Sequence, residues 1–569
     1  MEWVIGGLRV SPWWSESYVL PMRDRRRTWF QARLAFLAAT LCTGCSGAEE
    51  TAPEAPGFSH RAVSSRGMVV TGSPYATGAG VRVLEAGGNA IDAAVAAAFA
   101  LAVAEPTQSG LGGRTQILLR TASGAVHAVD GGTEVPAGYD AQTAPAGETG
   151  YAAVGIPGTV AALLKVHEEH GVLGRVEVLG PAVAWAEDGV RLPDGERRRL
   201  EGLAREEGPE SAVARLFGTE PDSVVVQPQL ARTLRAIVTD GHHGFYGGEV
   251  AAAMARDIGE GGGFVSASDL AAYRPRDGLV GRTSVGEVEV VGSYLPASGV
   301  TVAEIMGILD RVDVPREDGA WADLLADALV AGFEDREMAE SMSPAAAVAW
   351  LMSDSLLERR AREVMTAMAD PPPTATSVGV GEWTRVEDEP LEPEPPFTSH
   401  ISVADVDGNL VAMTQSLGPS GGARVATPEL GFLYASTLGG YLTAGGPGYR
   451  PWSSQAPLLV LGEEGPVMVA GGAGARRIIS ALVGTLSRTL HLGVELEEAL
   501  RAPRLHPTGG RVYVEAGWGV AAALEERGQE AVPRERSYFA RLNVIEIDRG
   551  RWTGIAEPGW SGASAAGPR

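Results

Sequence analysis

The junction at Thr398 constrains this chain more than any other feature of its sequence. The run from Pro371 to Phe397 contains seven prolines among acidic residues, a composition typical of linkers rather than packed elements. It gives way to TSHISVADVDGNLVAMTQSL, which alternates like two buried strands joined at the hairpin signal Asp407-Gly408. The sequence therefore predicts that the chain divides here and that Thr398 opens a strand pair.

A threonine at this junction is suited to become a new N-terminus. If the chain is cut before Thr398, its hydroxyl can attack a carbonyl while its freed α-amino group, with a pKa of about 8, takes the proton. The hairpin also brings Ser416 to the same end, where a second hydroxyl can hydrogen-bond the amine or the hydroxyl of Thr398. The alternative is that Thr398 is a structural residue at the edge of a strand.

Charge and cysteine usage exclude several kinds of protein. The formal net charge of −24 argues against a nucleic-acid partner, because neutralising phosphates requires clustered Lys and Arg. Cys42 and Cys45 are the only cysteines and lie near the N-terminus, so the folded body has no disulfide framework and no cysteine metal site. We expect neither a metal nor a cofactor.

The N-terminal segment has the features of an export signal. A basic stretch followed by a short apolar stretch predicts a signal peptide over residues 22–45, with residues 1–21 an over-extended start. Cys45 ends a segment that resembles a bacterial lipoprotein box. Cys42 stands where that box usually has Leu, so cleavage by an ordinary signal peptidase is the alternative. We expect an exported protein, periplasmic or anchored to the cell envelope through lipid on Cys45.

The rest of the chain divides into a linker, a large part and a small part. The predicted bounds are 46–60 for the linker, 61–397 for the large part, with 371–397 as its pre-cleavage segment, and 398–569 for the small catalytic part. The predicted elements include a helix from Ile91 to about Ala104, apolar nearly all round and hence buried, and a strand LGFLYAS. Strands in two groups with helices outside them predict an α/β protein of stacked layers.

Two other motifs are better explained as structural features than as catalytic sites. His167 to His170 lacks the histidine spacing of a zinc-protease helix, and we interpret it as a solvated helix face. Gly418 to Gly422 matches the G-x-S-x-G pattern of serine hydrolases, but the sequence after it does not predict the required helix. A Gly-rich loop between strands is the preferred interpretation there.

Small residues between a strand and a helix form another candidate element. At Gly471 to Ala475 the backbone N–H groups at the start of a helix could stabilise an oxyanion, although tight strand-helix packing explains the small residues equally well. Ser453 and Ser454, after the loop GGPGYRPW, offer hydroxyls to a substrate or cap a turn.

These residues occur within a longer series of motifs that resembles the γ-glutamyltranspeptidase family of N-terminal-nucleophile hydrolases. The series includes GGNAIDAAVAAAFALAVAEPTQSGLGG, VGIPGTVAALLKVHEEHG, GFYGGEVA, LPASGV, FEDR, FTSHISVADVDGNLVA and RPWSSQAP, in the family's order. The resemblance implies a four-layer αββα sandwich. It also implies a precursor that cuts itself into a large and a small subunit, which stay together as a heterodimer.

The resemblance also assigns roles to individual residues. Thr398 matches the residue that performs self-cleavage and then accepts the acyl group. The family pattern implies that Ser416 supports the nucleophile and that the N–H groups of Gly474 and Ala475 bind the oxyanion. It implies that Ser453 and Ser454 bind the substrate carboxylate.

The sequence departs from the family where a γ-glutamyl group would be recognised. Gly132 stands in place of the Arg that pairs with the substrate α-carboxylate. Gly418, Thr437 and Gly440 stand in place of the Asn, Gln and Asp around the α-amino group. Arg114 is the candidate for replacement charge in substrate binding.

The sequence therefore predicts a self-cleaving amidohydrolase or acyltransferase acting on γ-glutamyl amides such as glutathione. Small amides and the protein's own two subunits are the expected partners. One alternative is an acylase for a different acyl group, as in cephalosporin-acylase-like relatives. The other is a degenerate family member that retains the scaffold without activity.

Overall fold

The architecture is organised around one long sheet that folds back on itself. The computed structural model describes residues 57–218, 224–294, 296–369, 398–441 and 445–569. The predicted signal peptide, including Cys45 as the predicted site of lipid attachment, and the predicted pre-cleavage segment 371–397 lie outside these ranges. The strands of the described residues are β1 (Arg61–Ser64), β2 (Met68–Thr71), β3 (Arg114–Arg120), β4 (Val126–Gly131), β5 (Arg276–Val285), β6 (Val288–Tyr294), β7 (Thr398–Ala404), β8 (Leu410–Ser416), β9 (Leu458–Gly462), β10 (Gly465–Ala473), β11 (Leu505–Thr508), β12 (Arg511–Glu515), β13 (Glu530–Arg534), β14 (Arg541–Asp548), β15 (Arg551–Ala556) and β16 (Ser564–Ala566).

Thirteen of these strands form the main sheet, in the order β1-β15-β14-β10-β9-β6-β5-β4-β3-β8-β7-β2-β16. Strand β5 passes from one layer to the other, because Arg276–Gly278 pair with β4 whereas Leu279–Val285 pair with β6. Strands β7 and β8 consequently contact β10 across the sandwich. Apolar side chains from both layers, including Leu118, Leu459 and Val469, fill the space between them. The sheet thus forms the two central layers.

Helices cover both outer faces of the sandwich. One apolar core joins helices to β3, β7 and β8, and a second joins other helices to β6, β9, β10 and β14. The predicted four-layer αββα architecture is confirmed. The helices of the described residues are α1 (Pro74–Glu85), α2 (Ala90–Ala104), α3 (Thr159–His170), α4 (Arg175–Asp188), α5 (Asp194–Glu207), α6 (Ala212–Phe217), α7 (Pro228–Asp240), α8 (His242–Tyr246), α9 (Gly248–Glu260), α10 (Ala267–Ala272), α11 (Gly299–Leu309), α12 (Asp318–Ala339), α13 (Pro344–Leu351), α14 (Asp354–Ala369), α15 (Arg477–Leu486), α16 (Leu496–Arg501) and α17 (Ala521–Glu526).

Helix α2 supports the strand that begins at Thr398. Asn89 caps it by accepting hydrogen bonds from the N–H groups of Ile91 and Asp92, and Asp92 completes a capping box. Every residue of the helix is buried, as its all-round apolar sequence predicts, and it packs on β7 and β8. In the described part of the chain no helix combines the length and apolarity needed to cross a bilayer.

The β7–β8 hairpin has the predicted register. Asp405 accepts hydrogen bonds from the N–H groups of Asp407 and Asn409, and this closes the turn around Gly408. Ladder pairing then places Thr398 directly opposite Ser416. The hairpin therefore brings the two hydroxyl residues to the same end of the sandwich.

One predicted strand is wrong. The segment LGFLYAS forms only isolated bridges, such as those of Leu433 with Ala426 and of Tyr434 with Gly112. Its N–H groups donate to carbonyls of separate loops, including that from Ser436 to Leu417. A buried apolar segment can satisfy its backbone through loops as well as through a sheet, and alternation alone does not distinguish the two.

Candidate active site

The predicted nucleophile is held by its strand partner. Thr398 is the first residue of β7 and is 7% exposed. Its Oγ1 donates a hydrogen bond to Ser416 Oγ at 3.1 Å, and the same Ser416 oxygen accepts the N–H of Gly418 at 3.0 Å. Directly paired residues of an antiparallel ladder project from the same face, which is why these hydroxyls meet. The geometry fixes the orientation of the Thr398 hydroxyl.

Arg114 lies on the next strand of the same row. It pairs with Ser416 across β3 and β8, so the order across the sheet is Arg114, Ser416, Thr398. Its side chain is buried, and Nη1 donates to the carbonyl of Ser436 at 3.4 Å. Nη2 lies 3.1 Å from the position that a Cβ on Gly418 would take. The guanidinium therefore occupies the space beside residue 418 and brings positive charge to the nucleophile's row.

The Gly474–Ala475 turn connects β10 to α15. Gly474 has φ +146° and Ala475 has φ +52°, backbone conformations that side chains disfavour. A Cβ at Gly474 would lie 2.6 Å from Ala540, so both conformation and space select glycine there. The carbonyl of Gly474 accepts the N–H of Arg477 in the first turn of α15. The turn thus ends at a helix N-terminus, where N–H groups without partners inside the helix suit a developing oxyanion.

His400 packs the nucleophile's strand, β7, against β10. Its Nδ1 is 2.7 Å from Thr414 Oγ1 and its Nε2 is 3.1 Å from Ser402 Oγ. The ring packs against Gly471 of β10, where a Cβ would come within 2.1 Å of it. Burial lowers the pKa of His400 to about 3, so the imidazole is neutral; its two hydrogen bonds hold it within its own layer, and it contacts β10 by packing. No sequence pattern predicted this role for His400.

Ser453 and Ser454 lie in a loop that is tied to the start of α11. The N–H of Ser453 donates to the carbonyl of Pro296 at 2.7 Å, and its carbonyl accepts Ser298 Oγ at 2.7 Å. Ser453 is buried and Ser454 is half-buried. The backbone of this segment is therefore fixed, whereas Ser454 retains access to solvent.

Gln455 joins the same loop to the catalytic hairpin. Its Nε2 donates to the carbonyl of Thr414 on β8 at 2.9 Å, and its N–H donates to Ser453 Oγ at 3.2 Å. The structure thereby brings the serine segment beside the strand that carries Ser416. Gln455 was not among the predicted site residues, although it directly follows the serines in RPWSSQAP.

Gly132 stands where the family pattern has an arginine for the substrate carboxylate, and the side chain of Arg450 lies next to this position. A Cβ on Gly132 would be 3.4 Å from Arg450 Cδ and 3.5 Å from Pro296 Cγ. Arg450 donates to Asp130 Oδ2 at 2.8 Å and to Glu134 Oε2 at 3.0 Å. Because two carboxylates neutralise this guanidinium, it supports the loop and does not replace the missing anchor.

Two further departures from the family pattern, Thr437 and Gly440, also offer no charge. Thr437 is fully buried against Gly155, whose Cβ would come within 2.9 Å of the threonine Oγ1. Gly440 is exposed, and a Cβ there would lie 3.2 Å from Glu148 Cγ. Of the predicted residues that could contribute charge, Arg114 alone places it on the row of the nucleophile.

The alternative sites do not assemble. Ser420 lies in a run of turns after β8 and no helix follows it, so the strand-turn-helix context of a serine hydrolase is absent from this described loop. The predicted solvated face at His167 is wrong in part, because His167 is 6% exposed and its Nε2 lies 2.9 Å from the carbonyl of Leu173. Within the described residues no group of three or more His, Cys, Asp or Glu is arranged to hold a metal.

Comparisons with known proteins show what this chain is similar to in sequence and in fold. A family model described as gamma-glutamyltranspeptidase matches residues 76–567. The glutathione hydrolase proenzyme of Pseudomonas sp. (strain A14) is 31% identical over 478 residues, which cover 78% of this chain and 82% of that protein. The acylase ACY 1 proenzyme of Pseudomonas sp. (strain V22) is 31% identical over 533 residues, covering 87% and 92%. The crystal structure of cephalosporin acylase from Bacillus halodurans superposes with a TM-score of 0.78 at 24% identity, covering 90% of this chain and 97% of that one, a likeness of fold.

Proposed function

Because this chain belongs to the γ-glutamyltranspeptidase family of enzymes, we propose that it is a self-processing amidohydrolase or acyltransferase with Thr398 as its N-terminal nucleophile. The observation that carries the proposal is the 3.1 Å hydrogen bond from Thr398 Oγ1 to Ser416 Oγ at the first residue of β7. A hydroxyl oriented in this way and next to a freed α-amino group meets the geometric requirement for nucleophilic catalysis.

The proposed reaction begins with self-cleavage. The hydroxyl of Thr398 attacks the carbonyl of the preceding peptide bond, and the C–N bond breaks, which frees the α-amino group and leaves the preceding residue as an ester on Oγ1. Water then hydrolyses this ester, which restores the hydroxyl and separates the two polypeptides. In turnover, this amine takes the hydroxyl proton while the oxygen attacks the substrate amide, and the proton passes to the departing amine. The N–H groups of Gly474 and Ala475 hold the oxyanion. Water or an acceptor amine releases the acyl group from Thr398.

The two fragments are expected to remain associated as a heterodimer. Strand β7 lies between β8 and β2, so a cut before Thr398 leaves strands from both fragments interleaved in one sheet. Separating them would break the ladder between β2 and β7 and expose the apolar core around Ile401 and Val403. Non-covalent association therefore follows from the topology of the sheet.

The substrate is proposed to be a small amide whose acyl group lacks an α-ammonium group. The relatives include both glutathione hydrolases and acylases. The alternative of γ-glutamyl amides such as glutathione requires recognition of a zwitterion, and Gly132 supplies no side chain for its carboxylate. Arg114 beside Gly418 brings a positive charge to the side where an ammonium group would be recognised. Like charges in a buried site repel strongly, which favours an acylase for a different acyl group.

Intact mass and N-terminal sequencing of the purified protein test the proposed processing. We expect two polypeptides, the smaller beginning at Thr398, and an uncut Thr398→Ala variant. An unsplit parent protein would favour the degenerate, inactive alternative. Equal cleavage of the parent and of Thr398→Ala would remove Thr398 from the reaction.

A panel of anilides tests the acyl group. Rates for γ-glutamyl, glutaryl and butyryl p-nitroanilide distinguish a zwitterionic, an anionic and a neutral acyl group. We expect the glutaryl compound to have the highest kcat/KM. A strong preference for the γ-glutamyl compound would instead support a glutathione hydrolase.

We also propose that the mature enzyme is exported. The proposal rests on the signal-like sequence over residues 22–45 and on Cys45 as the site of lipid attachment. Fractionation of the producing cell, with the mass of the mature N-terminal fragment, tests it. A cytoplasmic protein that begins at Met1 would overturn it.

A further inference from the structure

A buried arginine lies directly behind the serine segment. Arg336 is close to the C-terminal end of α12 and is 5% exposed. Its Nε donates a hydrogen bond to Ser298 Oγ at 3.1 Å, and its guanidinium lies 5.2 Å from the ring centre of Trp452. Trp452 immediately precedes Ser453. Arg336 therefore contacts both Ser298 and Trp452, which adjoin the serine segment.

No described residue forms an ion pair with Arg336, whose guanidinium lies near the Trp452 ring and, at longer range, near Glu337 and Glu340. Its Nη atoms form neither an ion pair nor a hydrogen bond with any residue in the described ranges. Arg360 in the same helical layer is paired, because it donates two hydrogen bonds of 2.6 and 2.8 Å to the Asp335 carboxylate. Buried charges are normally paired, since removing an ion from water is costly. A buried guanidinium that forms no ion pair with a described residue is available to an anion that arrives from outside.

Arg336 remains charged at neutral pH, although its surroundings lower its pKa. Burial and the nearby Arg476 lower the pKa of Arg336 to about 10, which still leaves it protonated. Glu340 and Glu337 oppose this shift from more exposed positions. The guanidinium is consequently a permanent positive charge.

Ser298 couples this charge to the proposed substrate site. Its Oγ accepts from Arg336 Nε and donates to the carbonyl of Ser453 at 2.7 Å. The residue after Ser453, Ser454, is half-buried and reaches solvent. A carboxylate that hydrogen-bonds to these serines would therefore lie in the field of Arg336.

We propose that Arg336 is a specificity-determining positioning residue, which orients the Ser453–Ser454 segment through Ser298 and attracts the carboxylate of an anionic acyl group to it. The inference rests on the proposed function. It extends that function by naming the residue that selects an acyl group with a terminal carboxylate. Arg336 would supply from α12 the charge that position 132 lacks.

The experiment compares a charged and a neutral substrate of the same shape. Steady-state kinetics are measured with glutaryl p-nitroanilide and with its methyl ester for the parent protein, Arg336→Met, Arg336→Lys and Ser298→Ala. We expect Arg336→Met to raise the KM of the anionic substrate about tenfold with a much smaller change in kcat, the scale of one lost charge-assisted contact. The KM of the methyl ester should remain within about twofold, and Arg336→Lys should restore part of the discrimination.

Arg488 provides a matched control. It is also buried, its guanidinium stacks 3.6 Å from the ring centre of Trp321, and burial likewise lowers its pKa to about 10. Arg488→Met removes a similar buried cation that does not contact Ser298. We expect it to leave the ratio of the two KM values unchanged.

The outcomes separate the inference from the function on which it rests. A parent protein that splits at Thr398 and hydrolyses the anilides establishes the function irrespective of the variants. Equal changes of KM for both substrates in Arg336→Met, or the same selectivity change in Arg488→Met, would overturn the inference. If Arg336→Met does not fold, Ser298→Ala decides: a KM increase confined to the anionic substrate supports the inference, and an increase shared by both substrates, or none, contradicts it.

Discussion

The hydroxyl of Thr398 donates to the hydroxyl of Ser416 across 3.1 Å, and these residues are direct partners in the β7–β8 ladder. The Ser416 oxygen also accepts the N–H of Gly418. Ser416 Oγ is thus held by two donors, and it positions Thr398 Oγ1 at the end of the hairpin. The two residues are 18 positions apart in the sequence, and the hairpin alone makes them neighbours.

We predict that Ser416→Ala lowers kcat about threefold to tenfold, the range expected for losing one neutral hydrogen bond. KM should change little, because the hydroxyl orients the nucleophile rather than the substrate. Steady-state kinetics on the processed enzyme measure both constants. Ser416→Thr keeps the hydroxyl and should remain close to the parent. An unchanged kcat in Ser416→Ala would show that this bond is dispensable.

Substitution of Arg114 should alter selectivity between acyl groups. Removing the charge beside Gly418 in Arg114→Met is expected to shift the ratio of kcat/KM for glutaryl over γ-glutamyl anilide toward the γ-glutamyl compound by about threefold to tenfold. Arg120, at the far end of β3, donates to the carbonyl of Gly408 and supplies the control Arg120→Met. If both variants leave the ratio unchanged, Arg114 has no part in selecting the acyl group.

Glu105 should make stability fall as the pH rises. Burial, with the neighbouring Glu196 charge, raises the pKa of Glu105 from 4.5 to about 7, so the folded state binds this proton more tightly than the unfolded state. Its contribution is therefore complete below pH 4.5 and is lost as the pH rises through about 7. Between pH 4.5 and pH 8, we expect the free energy of unfolding of the parent to fall by about 3 kcal/mol relative to that of Glu105→Gln.

Urea unfolding of both proteins at the two pH values measures this difference. Ser399, the residue after the nucleophile, lies close to the Glu105 carboxyl, so processing is verified by mass in each sample. Identical pH dependence in parent and variant would mean that Glu105 keeps an ordinary pKa.

Gly471→Ala should destabilise the protein by about 1–3 kcal/mol, the usual cost of overpacking a core. The new Cβ would meet the His400 ring at 2.1 Å, and hydrogen bonds to Thr414 and Ser402 hold that ring in place. Gly484→Ala in α15 is the control, since its Cβ would have ordinary contacts of 3.6 Å. Urea midpoints compare the two, and an equal effect would show that the ring can move aside.

Local patterns in the sequence predicted much of the fold. The Asp407-Gly408 signal gave the correct hairpin, and the apolar run from Ile91 identified a helix that is buried on all sides. Alternation misassigned LGFLYAS, because it reports a buried extended segment without reporting what that segment pairs with. His167 was misplaced for a similar reason: its helix turns that face toward Asp92 and Leu173.

The sequence by itself determined stacked helix and sheet layers and the meeting of Thr398 with Ser416, because side-chain periodicity and turn chemistry act over short stretches of chain; the four-layer αββα order came from the resemblance to the family. Only the tertiary structure decided which charges near the site are neutralised. Arg450 is held by Asp130 and Glu134, whereas Arg336 forms no ion pair with a described residue. Both are arginines near one serine loop, and their roles differ because the free energy of a buried charge depends on groups brought together from distant parts of the chain.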